Sequence, residues 1–338
     1  MQFPQNVSLK PFNTFGIDVS CKLFTEIKSK EDVYLLIESN VLSNEKHLIL
    51  GGGSNILFTK DFDGIVIKTN NQFIEIIDST DDFVWVKAGA GVVWDEFIDF
   101  VLANNLSGIE NLIGIPGTVG ASAYQNVGAY GVEAKDCIEE VEVINLANGK
   151  NYTLKNEDCA FNYRNSIFKQ NKNKSEFIYA VTYKLSAKPN VNTSYGSIRE
   201  ELEKLHISSP TIKDIAGIIN RIRTEKLPSP EEIGSGGSFF QNPSVSKKQH
   251  ESLKKNFPAI VAYPNADNTF KISAGWLIDQ CGWKGKSCGN AGVYPKQALV
   301  LVNLGNATGN EILKLSEMIM ESVLEKFGIE LEPEVLIL

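Results

Sequence analysis

One hydroxyl, Ser238, stands between three glycines and two phenylalanines in the stretch "GSGGSFFQNP", residues 234–243. The glycines and serines read as a flexible loop, and glycine lets a backbone approach a ligand closely. Phe239, Phe240 and Pro243 pin the far end of that loop against apolar neighbours. "FNYRNSIFK" sets Arg164 between an aromatic and polar residues. An Arg can hold a carboxylate by two parallel hydrogen bonds, or it can be an ordinary surface charge. "NRIRTEKLPSP" carries Arg221, Arg223 and Lys226 near a helix end. Arg223 and Lys226 share a face and can clamp a phosphate, or they can merely complement the helix dipole. "LEPEV" puts Glu332 and Glu334 two apart, on one face of an extended strand.

Glycine runs supply a second kind of chemistry. "HLILGGGSNILF" is a strand, then Gly51, Gly52, Gly53, Ser54 and Asn55. Consecutive glycine amides form either a nest for an anion or a plain turn between strands. The Gly-Lys-Ser/Thr ending of a P-loop is missing. "GAGVVW" starts like a dinucleotide fingerprint, but Trp94 replaces its third glycine and spoils the close packing required there. The segment from Gly108 to Gly131, "GIENLIGIPGTVGASAYQNVGAYG", is a long glycine-rich stretch around Pro116. Loops of that length are usually functional. It can wrap a cofactor that carries a pyrophosphate, or it can be an irregular crossover.

Other chemistries are disfavoured. His47, His206 and His250 are scattered and show no metal spacing. The G-x-S-x-G elbow of a Ser-His-Asp hydrolase is absent. None of the five cysteines, Cys21, Cys137, Cys159, Cys281 and Cys288, forms a C-x-x-C pair, so free thiols in a reducing cytoplasm are expected. Net charge is −8, which speaks against nucleic acid as a general partner. At 43% hydrophobic and 22% charged, the 338-residue chain has an ordinary globular balance. It is long enough for two or three domains. No apolar run reaches bilayer-spanning length, and the first residues do not read as a signal peptide.

The elements that must position these residues follow from periodicity and punctuation. Strands are expected at "LFTEI", "HLIL", "GIVIK", "FIEIID" and "FVWVKAGA", with a helix at "KEDVYLLIESN". "VVWDEFIDFVLANN" has helical spacing. "CIEEVEVINLANGKNYTL" reads as a hairpin closed by a tight primed turn at Asn148-Gly149. "FIYAVTYKL" is a further strand, and "KPNVNTSYGS" is an exposed connection. Helices are expected at "IREELEKL" and at "TIKDIAGIINRIRTEKL", the latter stopped by Pro228 and Pro230. After the Ser238 loop come helices at "SKKQHESLKKNF" and "AGWLIDQCG", a strand "ALVLVN", a long helix "GNEILKLSEMIMESVLEKFG" and a final strand "IELEPEVLIL". Boundaries are expected near residues 69 and 205, giving parts 1–68, 69–205 and 206–338.

Together "GGGSN", "IPGTVGA", "QNVGAYG", "YRNSIFK", "KLPSP", "GSFFQNP", "AGWLIDQCG", "KQALVLVN" and "LEPEV" resemble the UDP-N-acetylenolpyruvoylglucosamine reductase family over nearly the whole chain, in the family's order. The resemblance implies an α+β fold. Two subdomains, 1–68 and 69–205, would form the FAD-binding fold of vanillyl-alcohol oxidase and p-cresol methylhydroxylase. Residues 206–338 would form an α/β substrate domain whose last strand can return to the first subdomain. It implies non-covalent FAD held by Gly51, Gly52, Gly53, Ser54 and Asn55, and by Gly114, Ile115, Pro116, Gly117, Gly120, Ala121, Gly128 and Gly131. NADPH is the implied electron donor. The implied substrate is the enolpyruvyl ether of UDP-N-acetylglucosamine, reduced to UDP-N-acetylmuramate for peptidoglycan synthesis in the cytoplasm, by a monomer with no nucleic-acid or membrane partner.

Position by position, the family's catalytic Arg, Ser and Glu fall on Arg164, Ser238 and Glu334. Tyr195 in "SYGS" matches a substrate-contacting Tyr and points to the type with a Tyr-bearing loop. Tyr130, Arg223, Lys226, Asn242, Lys284 and Gln297 match further substrate positions. Two departures stand out. Ala123 occupies a place where many relatives have Pro, and Leu336 one where they have Arg, with the chain stopping at Leu338. Two rival readings are another FAD enzyme of the same fold, such as an alcohol oxidase, and a nucleotide-sugar-binding protein without catalysis. No histidine falls in the glycine segments, against a His-linked flavin; Arg164, Ser238 and Glu334 are all present, against a mere binder.

Overall fold

The computed structural model describes residues 1–170, 175–229, 232–265 and 267–338. The chain divides into two compact units. The first comprises Met1–Val7, Cys21–Gly53 and Asp63–Arg223, and the second Ser8–Ser20, Ser54–Phe62 and Thr224–Leu338.

In the first unit a four-stranded sheet runs Gln5–Ser8, Ser20–Ile27, Phe62–Thr69, His47–Leu50. The last two are parallel, with Leu50 opposite Lys68, so Gly51 leaves from a carboxyl end of the sheet. Ligands of open α/β sheets gather at such ends. The helix Lys30–Glu38 starts with a reciprocal cap between Ser29 and Asp32. It buries Val33 and Leu36 among Ile27, Ile65, Ile67 and Phe177.

A five-stranded antiparallel sheet follows the order Asn151–Lys155, Ile138–Asn145, Glu176–Ser186, Phe83–Gly89, Ile74–Ser79. Its core holds Val86, Val141, Val181 and Tyr183 together with Trp94, Phe97 and Val101 of the helix Trp94–Ala103. The hairpin at Asn148-Gly149 is real but its turn is not a two-residue primed one. Asn145 N–H donates to the Lys150 carbonyl, leaving 146–149 as the loop, and only Gly149 takes a positive φ, of 71°. A primed type I′ turn needs two such residues. The glycine-rich segment is also less irregular than expected. It contains a short helix, Val119–Tyr124, and a small ladder of Gly128–Ala129 with Val132–Glu133. Two further helices, Gly196–Lys204 and Ile212–Lys226, share Ile198, Leu202, Ile215, Ile219 and Ile222 as a core. The second ends at Lys226, ahead of Pro228; Pro230 lies outside the described residues.

In the second unit an antiparallel sheet has the order Gly234–Ser238, Val300–Asn303, Ala291–Val293, Ser287–Cys288. The helix Gly309–Phe327 packs on it, begun by a reciprocal Thr308/Glu311 cap and ended by Gly328 at φ 63°. A smaller sheet of Ser244–Ser246, Thr269–Ile272 and Ala262–Pro264 accompanies the helix Lys247–Asn256. The stretch around Ser238, expected as a flexible loop, is therefore a strand. Its glycines answer to packing: a Cβ on Gly236 would sit 2.5 Å from the ring of buried Phe15. Gly237, at φ 69°, falls in a register shift between Ser235 and Ser238, where a bulged strand needs a left-handed residue.

The chain's end also departs from expectation. It is not one strand: only Leu336–Ile337 is paired, in parallel with Ile56–Leu57, while Pro333 makes an isolated bridge to Phe240. The flanking bonds, Glu334 N–H to the Phe239 carbonyl and Gln241 N–H to the Glu332 carbonyl, make Phe240 and Pro333 a non-hydrogen-bonded pair. Proline lacks an N–H, and this position does not need one.

Candidate active site

Arg164 occupies the tip of a two-residue turn. Asn162 and Asn165 exchange both backbone hydrogen bonds, at 3.0 and 3.1 Å, and leave Tyr163 and Arg164 between them. Arg164 has φ 51°, a left-handed conformation costly for a side-chain-bearing residue. Strain of this kind collects at functional sites. The half-buried guanidinium donates to the Gly128 carbonyl and lies 5.1 Å from the Tyr163 ring centre, while Lys169 Nζ donates to the Arg164 carbonyl. A Cβ on Gly128 would come within 3.0 Å of Arg164 Nη1. Gly128, expected as a flavin contact, makes room for Arg164. Asn126, buried at φ 47°, ties the two segments by donating to the Asn162 carbonyl and accepting from Lys135 N–H. The sequence reading missed Asn126; the faint signal for it was an Asn ahead of a glycine in "QNVG".

Near Gly114 a polar cluster forms. Arg223 Nε donates to the Gly114 carbonyl at 2.9 Å, and Gly114 N–H donates to Asp95 Oδ1 at 2.8 Å. Burial pushes the Asp95 carboxyl and the Tyr130 phenol up and the Arg223 guanidinium down. Arg223 also hydrogen-bonds the Tyr130 phenol. Tyr130, at φ 49°, meets Tyr195 edge to face at 5.3 Å, and Tyr195 is 42% exposed. Asn111 holds this corner by donating to the carbonyls of Tyr130 and Asn192.

The two glycine segments meet face to face. A Cβ on Gly51 would lie 2.7 Å from Thr118 Oγ1, and one on Gly52 would lie 3.1 Å from Gly117 Cα. Thr118 Oγ1 is buried without a hydrogen-bond partner among the described residues. Such a hydroxyl costs about 1–3 kcal/mol unless an acceptor reaches it. Backbone that tolerates no side chain, beside an unpaired donor at the carboxyl end of a parallel strand pair, fits the pyrophosphate of a dinucleotide. Thr118 escaped the sequence reading, because only burial marks it.

In the second unit Ser238 is exposed at the end of its strand, while Phe239 and Phe240 are 0% and 1% exposed. Their rings stand 5.1 Å apart, and Phe239 stacks edge to face on Phe15 at 6.3 Å. Phe239 N–H donates to the Leu299 carbonyl, and its own carbonyl accepts from Glu334 N–H. Glu334 is half-buried one register step from Ser238, whereas Glu332 is exposed. Asn242 Oδ1 accepts from Ala274 N–H at 2.9 Å and fixes the start of the helix Ala274–Gln280. Gln297 Oε1 accepts from Leu299 N–H, on the segment that pairs with Phe239. Lys226 and Lys284 are exposed. Among the described residues no cluster of His, Cys, Asp or Glu can hold a metal, and no helix is long and apolar enough to cross a membrane.

The paired-glycine cradle fits a dinucleotide, and similarity to known proteins places the chain among FAD-dependent oxidoreductases. The family model described as "FAD binding domain" matches residues 22–155, and that of "UDP-N-acetylenolpyruvoylglucosamine reductase, C-terminal domain" matches residues 229–338. The curated UDP-N-acetylenolpyruvoylglucosamine reductase of Flavobacterium johnsoniae is 47% identical over 99% of each chain. That of Bacteroides fragilis is 46% identical over 98% of each. The chain belongs to the UDP-N-acetylenolpyruvoylglucosamine reductase family. The crystal structure of the Thermus caldophilus enzyme superposes with a TM-score of 0.71 at 24% identity, covering 100% of this chain and 99% of that one, which shows the shared fold. The expected fold class and the FAD cofactor are borne out by these matches.

Proposed function

We propose that the protein reduces UDP-N-acetyl-3-O-(1-carboxyvinyl)-glucosamine to UDP-N-acetylmuramate with NADPH, in peptidoglycan precursor synthesis. The observation that carries the reading is the hydrogen-bonded pairing of Phe239 with Glu334, which sets the Ser238 hydroxyl and the Glu334 carboxylate on adjoining segments. Residues 1–68 and 69–205 serve the flavin, and residues 206–338 the substrate. Gly51–Asn55 and the segment Gly114–Gly131, with Thr118, hold the cofactor. FAD held there would supply the hydride chemistry, with NADPH as the donor and the terminal carbon of the enolpyruvyl group as the acceptor.

The chain's own groups do the rest. Charge builds on the substrate carboxylate as an enolate-like species. Arg164 stabilises it by charge and the Glu334 carboxyl by a proton shared with it, an electrostatic contribution that is usually the largest in such sites. Ser238 then gives its proton to the adjoining carbon. A serine is a weak acid, but an enolate carbon is a strong base. Buried Phe239 and Phe240 fix the backbone that carries the hydroxyl. Tyr130, Tyr195, Arg223, Lys226, Asn242, Lys284 and Gln297 bind the nucleotide sugar, with the exposed Tyr195 segment closing over it. The test is to mix the yellow protein with NADPH and the enolpyruvyl substrate. UDP-N-acetylmuramate should accumulate one for one with NADPH consumed; NADPH oxidation without that product would point to an oxidase of the same fold.

A further inference from the structure

The chain leaving the glycine run grips the segment that carries Glu334. Asn55 Nδ2 donates to the Glu334 carbonyl at 3.3 Å, and the Asn55 carbonyl accepts from Leu336 N–H at 3.0 Å. Ile56–Leu57 then pair with Leu336–Ile337, and Thr59 closes the ladder by donating from both N–H and Oγ1 to the Leu338 carbonyl. On its other side Glu334 gives its N–H to the Phe239 carbonyl at 2.8 Å. The backbone of this one residue is therefore held at both its polar groups, by Phe239 at the N–H and by Asn55 at the C=O. Two such restraints fix the φ and ψ of Glu334, and through them the direction in which its side chain leaves the backbone. The extended pairing does not reach Glu334 itself: Leu336 is the first residue of the C-terminal ladder, and Glu334 and Val335 lie in a bend between it and the Pro333 bridge. A side-chain donor at residue 55 fills the place where a ladder bond is missing.

We propose that Asn55 is a positioning residue for Glu334, in addition to its place beside the flavin. The proposal rests on the reading of Glu334 as a stabiliser of the enolate. Loss of the Asn55 amide lets the bend relax, and a carboxylate displaced by even 1 Å loses much of its worth.

A double-mutant cycle on the FAD-loaded enzyme tests this. Asn55→Ala, Glu334→Gln and the double variant are each reduced with NADPH and re-oxidised with substrate in rapid-mixing absorbance, and FAD affinity is measured by fluorescence titration. Asn55→Ala is expected to slow re-oxidation by about 10–100-fold per bound flavin. In the Glu334→Gln background the same change is expected to cost less than about two-fold, since there is no carboxylate left to aim. Asn55→Gln, which keeps a donor, should recover part of the rate. Multiplicative effects in the double variant overturn the proposal, and so does a slowing that merely tracks loss of flavin. If Glu334→Gln alone leaves re-oxidation unchanged, the role of Glu334 fails and the proposal falls with it. If Glu334→Gln is slow but Asn55→Ala is not, the positioning alone fails.

Discussion

Glu334 and Phe239 are joined by a backbone hydrogen bond of 2.8 Å although they lie 95 positions apart in the chain. The bond sits next to Ser238 on one strand and next to the Pro333 bridge on the other. It converts two unrelated motifs, "GSFFQNP" and "LEPEV", into neighbours with a defined register. Buried Phe239 and Phe240 hold the first motif, and the Asn55 segment holds the second.

In the proposed reaction Ser238 separates the two half-reactions: flavin reduction by NADPH needs no proton from it, whereas completing the saturated carbon does. Ser238→Ala is expected to keep FAD and to bleach with NADPH at close to the wild-type rate. Re-oxidation by substrate should slow by roughly 10²–10⁴-fold, the usual worth of a positioned acid. Ser238→Cys should recover part of it. Stopped-flow flavin absorbance measures both halves, and an unchanged oxidative half removes Ser238 from the chemistry.

Thr118 carries a buried hydroxyl without a partner among the described residues. Thr118→Val keeps its shape and removes the unpaired group, so the flavin-free protein should be as stable as wild type or slightly more so. Affinity for FAD should fall by about five- to ten-fold, the worth of one hydrogen bond. Calorimetry on the apoprotein and fluorescence titration with FAD give the two numbers. A loss of apoprotein stability with FAD affinity intact reverses the assignment.

Gly236 tests the strand that replaced an expected loop. A Cβ there would meet the Phe15 ring at 2.5 Å, and Phe15 is fully buried. Gly236→Ala is expected to destabilise the second unit by about 1–3 kcal/mol through overpacking. Thermal unfolding should show a lower midpoint; a midpoint that holds or rises means the segment is free to move.

Glu142 anchors a charge cluster in the first unit, with Lys30, Lys87 and Asn151 around its carboxylate. Burial opposes its ionisation, but hydrogen bonds from Lys30, Lys87 and Asn151 outweigh it and bring the pKa down to about 2 from 4.5. A depressed carboxylate contributes stability that is full above the unfolded value and is lost as pH falls through the folded one. The contribution of Glu142 should thus be complete above about pH 5 and fade between pH 4.5 and 2. Its upper bound is about 3 kcal/mol, and the cost of burying the pair reduces it. Glu142→Gln should lower the unfolding midpoint at pH 7, and the gap from wild type should close as pH falls towards 2–3. A constant gap across that range rules out the ion cluster as its cause.

Periodicity and punctuation in the sequence determined most of the elements. Helices such as Lys30–Glu38 and Gly309–Phe327 announce themselves by local caps and apolar spacing, which need no distant partner. The roles proposed for Arg164, Ser238 and Glu334 came from the resemblance of their motifs to the family, since the residue types alone left ordinary surface charge open at Arg164 and Glu334. The tertiary structure decided three things. It made residues 234–238 a strand, in which Gly236 admits the Phe15 ring, more than two hundred positions earlier, and Gly237 takes a left-handed bulge position. It broke the terminal strand at Pro333 and Glu334, because two different partners claim the two halves. And it isolated the Thr118 hydroxyl, since whether a polar group is satisfied depends on what surrounds it in space. Local sequence carries local hydrogen bonds and side-chain chemistry; close approach and burial belong to contacts between distant segments, and only the folded chain brings those together.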